Sequence, residues 1–401
     1  MPKYALWMML LCASAGKLLS AQHEFIDTTR YTGSNAIAAI VQKIVPVGTV
    51  DTLKHGYACF YHLNGKLRQE GWYAFNKQDS LWISYSLLGN VLRKVNFRNG
   101  QRQGAFETFF ENGRTRSVGE YLNDSLTGVM KLFYADGILQ EQRHYSGNKL
   151  NGLVSGYSAK GHISYRFNFR DSIQDGLYER YYVSGSIRER GFMRDKYFYD
   201  DYQSFYETGA VQSAYHYKGY KIQGPYQVFY EDGSSMIVCE YVHGLIEGEY
   251  TKFHKNGSIE ETGRYRNGIP VGRWVYYFSN GMVYMEGIYR NNRPEGIWKV
   301  YYSNGQVKQE GKYQDGISTG PWKFYYDDGQ LKVKGNYSKN KQHQHWVHYY
   351  PNGQIQFDLH FNEGRMDGIQ TAFDEAGKII EQSEYVDNQM VRQIRGNRII
   401  E

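Results

Sequence analysis

Apolar and polar positions alternate along short segments of this chain, and the pattern restarts at a fixed interval. In "GIWKVYYSNGQVKQEGKYQDG", residues 296 to 316, Trp298, Val300 and Tyr302 share one side of an extended segment, whereas Lys299 and Tyr301 take the other. Beyond "SNG", a second segment puts Val307, Gln309, Gly311 and Tyr313 on one face. Such short runs, rich in aromatic and β-branched residues and bounded by turn residues, predict β-strands. Helices are excluded. Gly recurs inside every segment, and no 3.6-residue apolar stripe persists.

The period is kept without insertion or deletion. Stepping by 24 from the Gly of "SNG" gives Gly65, Gly89, Gly113, Gly137, Gly161, Gly185, Gly209, Gly233, Gly257, Gly281, Gly305, Gly329, Gly353 and Gly377. The position four before each of these is always aromatic, from Tyr61 to Phe373. The position eight after is aromatic with one exception, Met193. A second Gly column lies nine before, broken by Ser80, Asp200 and Gln344. The repeat therefore organises nearly the whole chain.

Each unit reads as one β-hairpin. "SNG", "DDG", "PNG" and "EDG" supply Asn or Asp followed by Gly, which tolerate positive φ in a tight turn, and the wider "DGISTG" link returns the chain. Neighbouring hairpins are expected to pair edge to edge. The predicted fold is all-β, an elongated antiparallel meander of about 14 tandem 24-residue hairpin repeats. Gly311 leaves a hole in its face that a neighbouring ring is expected to cover. One hairpin cannot bury its rings alone, so stability is expected from ring-on-ring stacking between repeats. Residues 46–388 form the predicted array, with a lead-in cap over 22–45 and a C-terminal cap or tail over 389–401.

Composition supports aromatic burial. The chain has 39 Tyr and 44 Gly in 401 residues, yet its mean hydropathy is −0.65. An aliphatic core is therefore not the basis of folding. Residues 1–21, "MPKYALWMMLLCASAGKLLSA", combine Lys3, an apolar stretch from Ala5 to Ala15 and small residues before "QHEF", and so resemble a secretory signal peptide ending at Ala21. Export to the periplasm, cell surface or medium is expected. Removing that segment takes away Lys3 and Lys17 and lowers the formal charge from +6 to +4. So modest a charge gives no reason to expect nucleic acid or an anionic membrane as partner.

The stretch "GRYRNGIPVGRWVYYFSNG", residues 263 to 281, carries a resemblance. Its Gly-x-Tyr, its Gly four before a second Gly and its Gly-x-Trp resemble the MORN repeat, especially the bacterial variant. The resemblance spans about residues 46 to 388 and is strongest from Gly224 to Tyr350. It implies β-hairpins stacked into a long twisted sheet, and, because some bacterial members carry the antitoxin label, that labelling alone also brings an antitoxin or immunity role into view.

Candidate chemistry is sparse. "KQHQHWVHYY" brings His343, His345 and His348 into one repeat, and two of them could share a face as metal ligands. Without further ligands at fixed spacing, surface or turn histidines are the expected reading, with no metal and no cofactor. Cys59 and Cys239 are separated by seven and a half repeats. That is about 15 strand spacings of ~4.8 Å, or roughly 70 Å, whereas a disulfide needs Cα atoms within about 7 Å; they are expected to stay unpaired. Glu286, Glu310 and Ser303 recur at equivalent positions and read as strand and turn residues. No nucleophile elbow or phosphate-cradling loop supports a catalytic set, so enzymatic activity is not expected.

Trp274, Trp298, Trp322 and Trp346 stand one repeat apart, continuing a column held earlier by Tyr178, Tyr202, Tyr226 and Tyr250. They are binding candidates if the column lines a groove that grips sugar rings or a peptide. An internal ladder that holds the hairpins together is the alternative, and a column running almost the full length favours it. The expected function is a noncatalytic scaffold that offers an extended sheet to a protein partner. Glycan binding is the runner-up, because "GxWYY" hairpins also resemble choline- and glucan-binding modules. End-to-end pairing of two copies through open sheet edges is also expected.

Overall fold

The computed structural model describes residues 21–395. The expected leader, up to residue 20, and residues 396–401 of the expected tail lie outside the described residues. Those described hold 33 strands and no helix. They divide after Gly185 into two units. In each unit successive strands pair antiparallel with one another, giving an open meander. The residues before the repeat phase also form strands, Ala21–Arg30 and Ile37–Pro46, and the second of these pairs with Leu53–Tyr61. At the other end, among the described residues Gln389–Arg395 pairs only with Ile379–Val386, and all its residues are exposed.

The two turns of each repeat are the reverse of the sequence expectation. The tight one lies in the "DG" link: Gln314 pairs with Ile317, and the two residues between, Asp315 and Gly316, have φ of 51° and 81°. Positive φ at both central positions is the mirror-image turn that suits the right-handed strand twist. At "SNG" the strands end at Tyr301 and restart at Val307, the Gly305 N–H donates to the Tyr302 carbonyl at 3.0 Å, and only Gly305 is left-handed, at 86°. That is the wider turn, a tight bend followed by a bulge. Tyr302 therefore lies beyond the strand, its N–H donating to the Gln306 carbonyl at 2.8 Å.

The Gly column nine before each turn is also left-handed, because the strand carries a bulge there; Gly320 has φ of 64°. The three exceptions keep the same backbone, with φ of 59° at Ser80, 72° at Asp200 and 59° at Gln344. A side chain in this region costs on the order of 1–3 kcal/mol. Gln344→Gly is therefore expected to raise stability by about 1 kcal/mol net of the added freedom of the unfolded chain. A urea midpoint unchanged or lowered in the variant would contradict it.

The interior is a cross-strand row of alternating large and small residues on one face. In the second unit it runs Trp274, Gly287, Trp298, Gly311, Trp322, Gly335, Trp346, and Gly311 pairs directly with Trp298 on one side and Trp322 on the other. Each indole leans back over the glycine of the preceding strand. A Cβ on Gly311 would lie 2.0 Å from Cδ2 of Trp322, and one on Gly335 2.1 Å from Cδ2 of Trp346. The ring expected over Gly311 is thus that of Trp322. The tyrosines eight after each turn glycine interleave edge to face with these indoles: Tyr289 to Trp298 at 5.0 Å, Tyr313 to Trp322 at 5.2 Å and Tyr337 to Trp346 at 5.0 Å between centroids. This geometry suits the aromatic quadrupole and contributes about 0.5–1.5 kcal/mol per pair beyond burial.

Side chains also tie one repeat to the next along the "SNG" edge. The hydroxyls of Tyr302, Tyr326 and Tyr350 donate to the carbonyls of Tyr325, Tyr349 and Phe373 at 2.7–2.9 Å, each 23 residues on. The Asn304 amide donates likewise to the Asp327 carbonyl at 2.7 Å, while its Oδ1 accepts from the Gln306 N–H.

Candidate functional site

With the indole face closed by its own rings, the opposite face and the local gaps carry what is left for recognition. Trp274, Trp298, Trp322 and Trp346 are between 2 and 6 % exposed. A ring so covered has no free face for a sugar or a peptide, so the four tryptophans form an internal ladder and not a groove wall. The Trp298 and Trp346 indole N–H groups donate to the carbonyls of Ile288 and Asn336, at 3.2 and 3.0 Å. Those of Trp274 and Trp322 are buried without a partner.

On the opposite face, carboxylates five after the turn glycine are held by tyrosines of the next repeat. The Tyr301 hydroxyl donates to Glu286 at 2.6 Å and the Tyr325 hydroxyl to Glu310 at 2.9 Å; Arg273 adds a 2.7 Å contact to Glu286. Tyr85 makes the same bond to Glu70. The Tyr301 hydroxyl, then the Arg273 guanidinium, hold the Glu286 carboxyl below its ordinary range. Burial, then the glutamate it meets, pushes each of Tyr301 and Tyr325 up to about 12. These are saturated structural pairs. Neither Glu286 nor Tyr301 is poised to move a proton near neutral pH.

The histidines of "KQHQHWVHYY" separate. His343 sits opposite Asn336, with a buried Nδ1 that has no partner. His348 turns to the indole side, opposite Val333 and Phe357, and burial followed by the Lys332 charge lowers its pKa. His345 lies on the other face, beside Asp358 and His360 of the next strand. Alternation alone does not show which residues lie across a strand, so that grouping escaped the sequence. Cys59 and Cys239 are both free, in different units, and burial pushes the Cys239 thiol up to about 11.

The first unit contains an open cleft of about 590 Å³ on its indole face. Its line of cross-strand pairs runs Ser84, Arg93, Thr108, Ser117, Leu132. Short hydroxyl residues here leave volume unfilled, and Thr108 and Ser117 bond to one another at 2.6 Å. Leu92, Phe109, Met130 and Leu132 supply apolar walls, and the exposed Arg93 guanidinium makes no hydrogen bond or ion pair among the described residues. An apolar hollow with an unpaired guanidinium suits a carboxylate on an apolar segment. No helix among the described residues is long and apolar enough to cross a membrane.

Comparison with known proteins agrees with the repeat geometry. The MORN repeat variant matches eight times, over residues 54–73, 126–146, 246–267, 270–291, 294–315, 318–339, 344–363 and 366–387. No curated protein matches the chain. Among solved structures, "Crystal Structure of TcdB2-TccC3-Cdc42" is similar at 11% identity and a TM-score of 0.13, covering 88% of this chain and 23% of that one. "Crystal Structure of TcdB2-TccC3 without hypervariable C-terminal region" gives 12% identity and a TM-score of 0.13, with 93% and 27% covered. This chain thus spans about a quarter of those it matches, and at such TM-scores the likeness carries no argument.

Proposed function

Because this chain belongs to the MORN-variant repeat family and is a repeat scaffold, we propose that it works as an exported, noncatalytic platform that holds a protein partner on its sheet. The observation that carries this reading is the cleft of the first unit. Arg93 there offers a free guanidinium above Leu92, Phe109, Met130 and Leu132, which fits an acidic side chain within an apolar stretch of a partner. Export rests on the leader-like pattern of residues 1–21. Glycan binding keeps one observation in its favour, the pair Tyr57 and Trp72, whose rings lie 5.9 Å apart with Trp72 52% exposed.

One experiment separates the two. The chain and its Arg93→Glu variant are immobilised and challenged with envelope extract, in parallel with sedimentation against insoluble cell-wall polysaccharide. A protein retained by the parent is expected to fall at least tenfold with Arg93→Glu, the scale of a lost charge-assisted bond of about 1.5–3 kcal/mol. If the chain pellets with polysaccharide and retains no protein, the glycan reading replaces this one.

A further inference from the structure

We infer that His345, Asp358 and His360 form a binding site for a divalent metal ion of the zinc class. The residues come from two adjacent strands, Lys341–Tyr349 and Ile355–Asn362. His345 is directly opposite His360, and Asp358, two positions from His360, shares its face. The imidazole rings stack with centroids 4.9 Å apart, and His345 Nε2–H donates to Asp358 Oδ1 at 2.5 Å. One ligand atom from each of the three residues lies within 4.8 Å of the others. Zinc takes imidazole nitrogen and carboxylate oxygen at about 2.0–2.2 Å. Binding requires the side chains to rotate until the three atoms surround one ion, with His345 giving up the proton it now shares with Asp358.

Two features set this repeat apart from its neighbours. The first is the partner of the carboxylate. In the repeats of Glu70, Glu286 and Glu310, a tyrosine 15 residues further on, Tyr85, Tyr301 or Tyr325, donates its hydroxyl to the acid. The corresponding position for Asp358 is Phe373, which has no hydroxyl. The carboxylate is thereby released from the structural bond made elsewhere and turns to His345. The second is the cross-strand pair itself. Equivalent pairs are Arg273 with Ile288 and Ile297 with Lys312, so two facing imidazoles are a local departure from the repeat.

The outer contacts suit a ligand set. His360 Nδ1 is the nitrogen nearer Asp358, 3.9 Å from its Oδ1, and it donates to the Ile369 carbonyl at 2.9 Å, since that oxygen can only accept; Nε2 is left bare, and a turn of the ring brings it to the ion. The three side chains are 49, 31 and 46 % exposed, so an ion can enter and water can complete its shell. Two imidazoles with one carboxylate and open positions suit a borderline first-row ion better than calcium or magnesium, which prefer oxygen ligands. Six repeats earlier the equivalent pair is Asp201 with His216, joined by Asp200. That cluster has a single imidazole, and it serves as an internal comparison.

The test titrates the full chain, stripped with a chelator, with Zn²⁺ against a chromophoric competitor, and with Co²⁺ followed by visible absorption. One equivalent of Zn²⁺ is expected to bind, and Co²⁺ to give a d–d band. His345→Ala, His360→Ala and Asp358→Asn are each expected to weaken Zn²⁺ at least tenfold with unchanged circular dichroism. His343→Ala, His348→Ala and His216→Ala are expected to leave affinity within twofold. Phe373→Tyr, which restores the competing hydroxyl and removes no ligand, is expected to weaken Zn²⁺ several-fold, and it guards against misreading a folding defect. Unchanged Zn²⁺ affinity in a His345→Ala/His360→Ala double variant overturns the site, as does a loss that follows His216, His343 or His348 instead.

Discussion

Gly311→Ala is expected to destabilise its neighbourhood by about 3 kcal/mol, at the upper end of the usual cost of overpacking a core. The backbone there is an ordinary strand, so the cost does not come from φ. It comes from the 2.0 Å between an added Cβ and Cδ2 of Trp322, in a ring that is only 5% exposed. The indole cannot simply swing aside, because Tyr313 and Tyr337 close on it edge to face at 5.2 and 5.4 Å. Lys312→Ala, one residue along on the exposed side, is the control and is expected to stay within about 0.5 kcal/mol. Hydrogen exchange over residues 293–338 reads the effect locally, which suits a repeat array whose ends need not unfold together. A double-mutant cycle identifies the clashing partner. With Trp322 reduced to Val, the alanine at 311 should cost less than half as much, and additive costs would show that the clash is not with that ring.

Trp346→Ala is the second large effect, expected at about 3–5 kcal/mol for truncating a buried indole. Trp346 is 2% exposed, stacks against the edge of Tyr337 at 5.0 Å and donates its N–H to the Asn336 carbonyl at 3.0 Å. Trp322 meets Tyr313 edge to face in the same way, has a second tyrosine, Tyr337, at 5.4 Å, and has an unpartnered N–H. Both rings keep an aromatic body as Phe, so the Trp→Phe pair reads chiefly the hydrogen bond. Trp346→Phe should cost about 1 kcal/mol more than Trp322→Phe. Equal midpoints in chemical denaturation would show that the bond to Asn336 contributes nothing net.

Much of this was legible because the repeat never slips. A column of glycines and a column of rings, both on one ruler, leave one way to arrange strands, and the cover over Gly311 follows from its place beside an aromatic neighbour. What the sequence concealed depended on register and on volume. "SNG" and "QDG" offer the same turn chemistry, and only the spacing of Gln314 and Ile317 against that of Tyr301 and Val307 distinguishes the tight turn from the wide one. His345 and His360 fall on opposite sides of a turn, and nothing in their spacing announces that they face each other until the strands are laid side by side. The cleft around Arg93 arises from what Ser84, Thr108 and Ser117 fail to fill. Missing volume leaves no motif.

One further regularity is present in the letters. Trp82, Trp274, Trp298, Trp322 and Trp346 each follow a glycine at a constant offset, Gly71, Gly263, Gly287, Gly311 and Gly335 in turn, and each indole sits on that glycine. Where the earlier position is Tyr215 the later one is Tyr226, and the two rings stack at 5.0 Å instead. Gly191 is followed at the same offset by Tyr202 and Gly119 by Met130, so a glycine there admits an indole without requiring one.

The ties from Tyr302, Tyr326, Tyr350 and Asn304 all end on main-chain oxygens 23 positions ahead. Such an acceptor is supplied by any successor, whatever its side chains. A gene of this kind can therefore gain or shed whole cassettes without leaving a donor stranded, whereas deletion of a single codon would put the acceptor out of place for each tie that spans it. The length of such a protein is free to drift in steps, and its spacing is not.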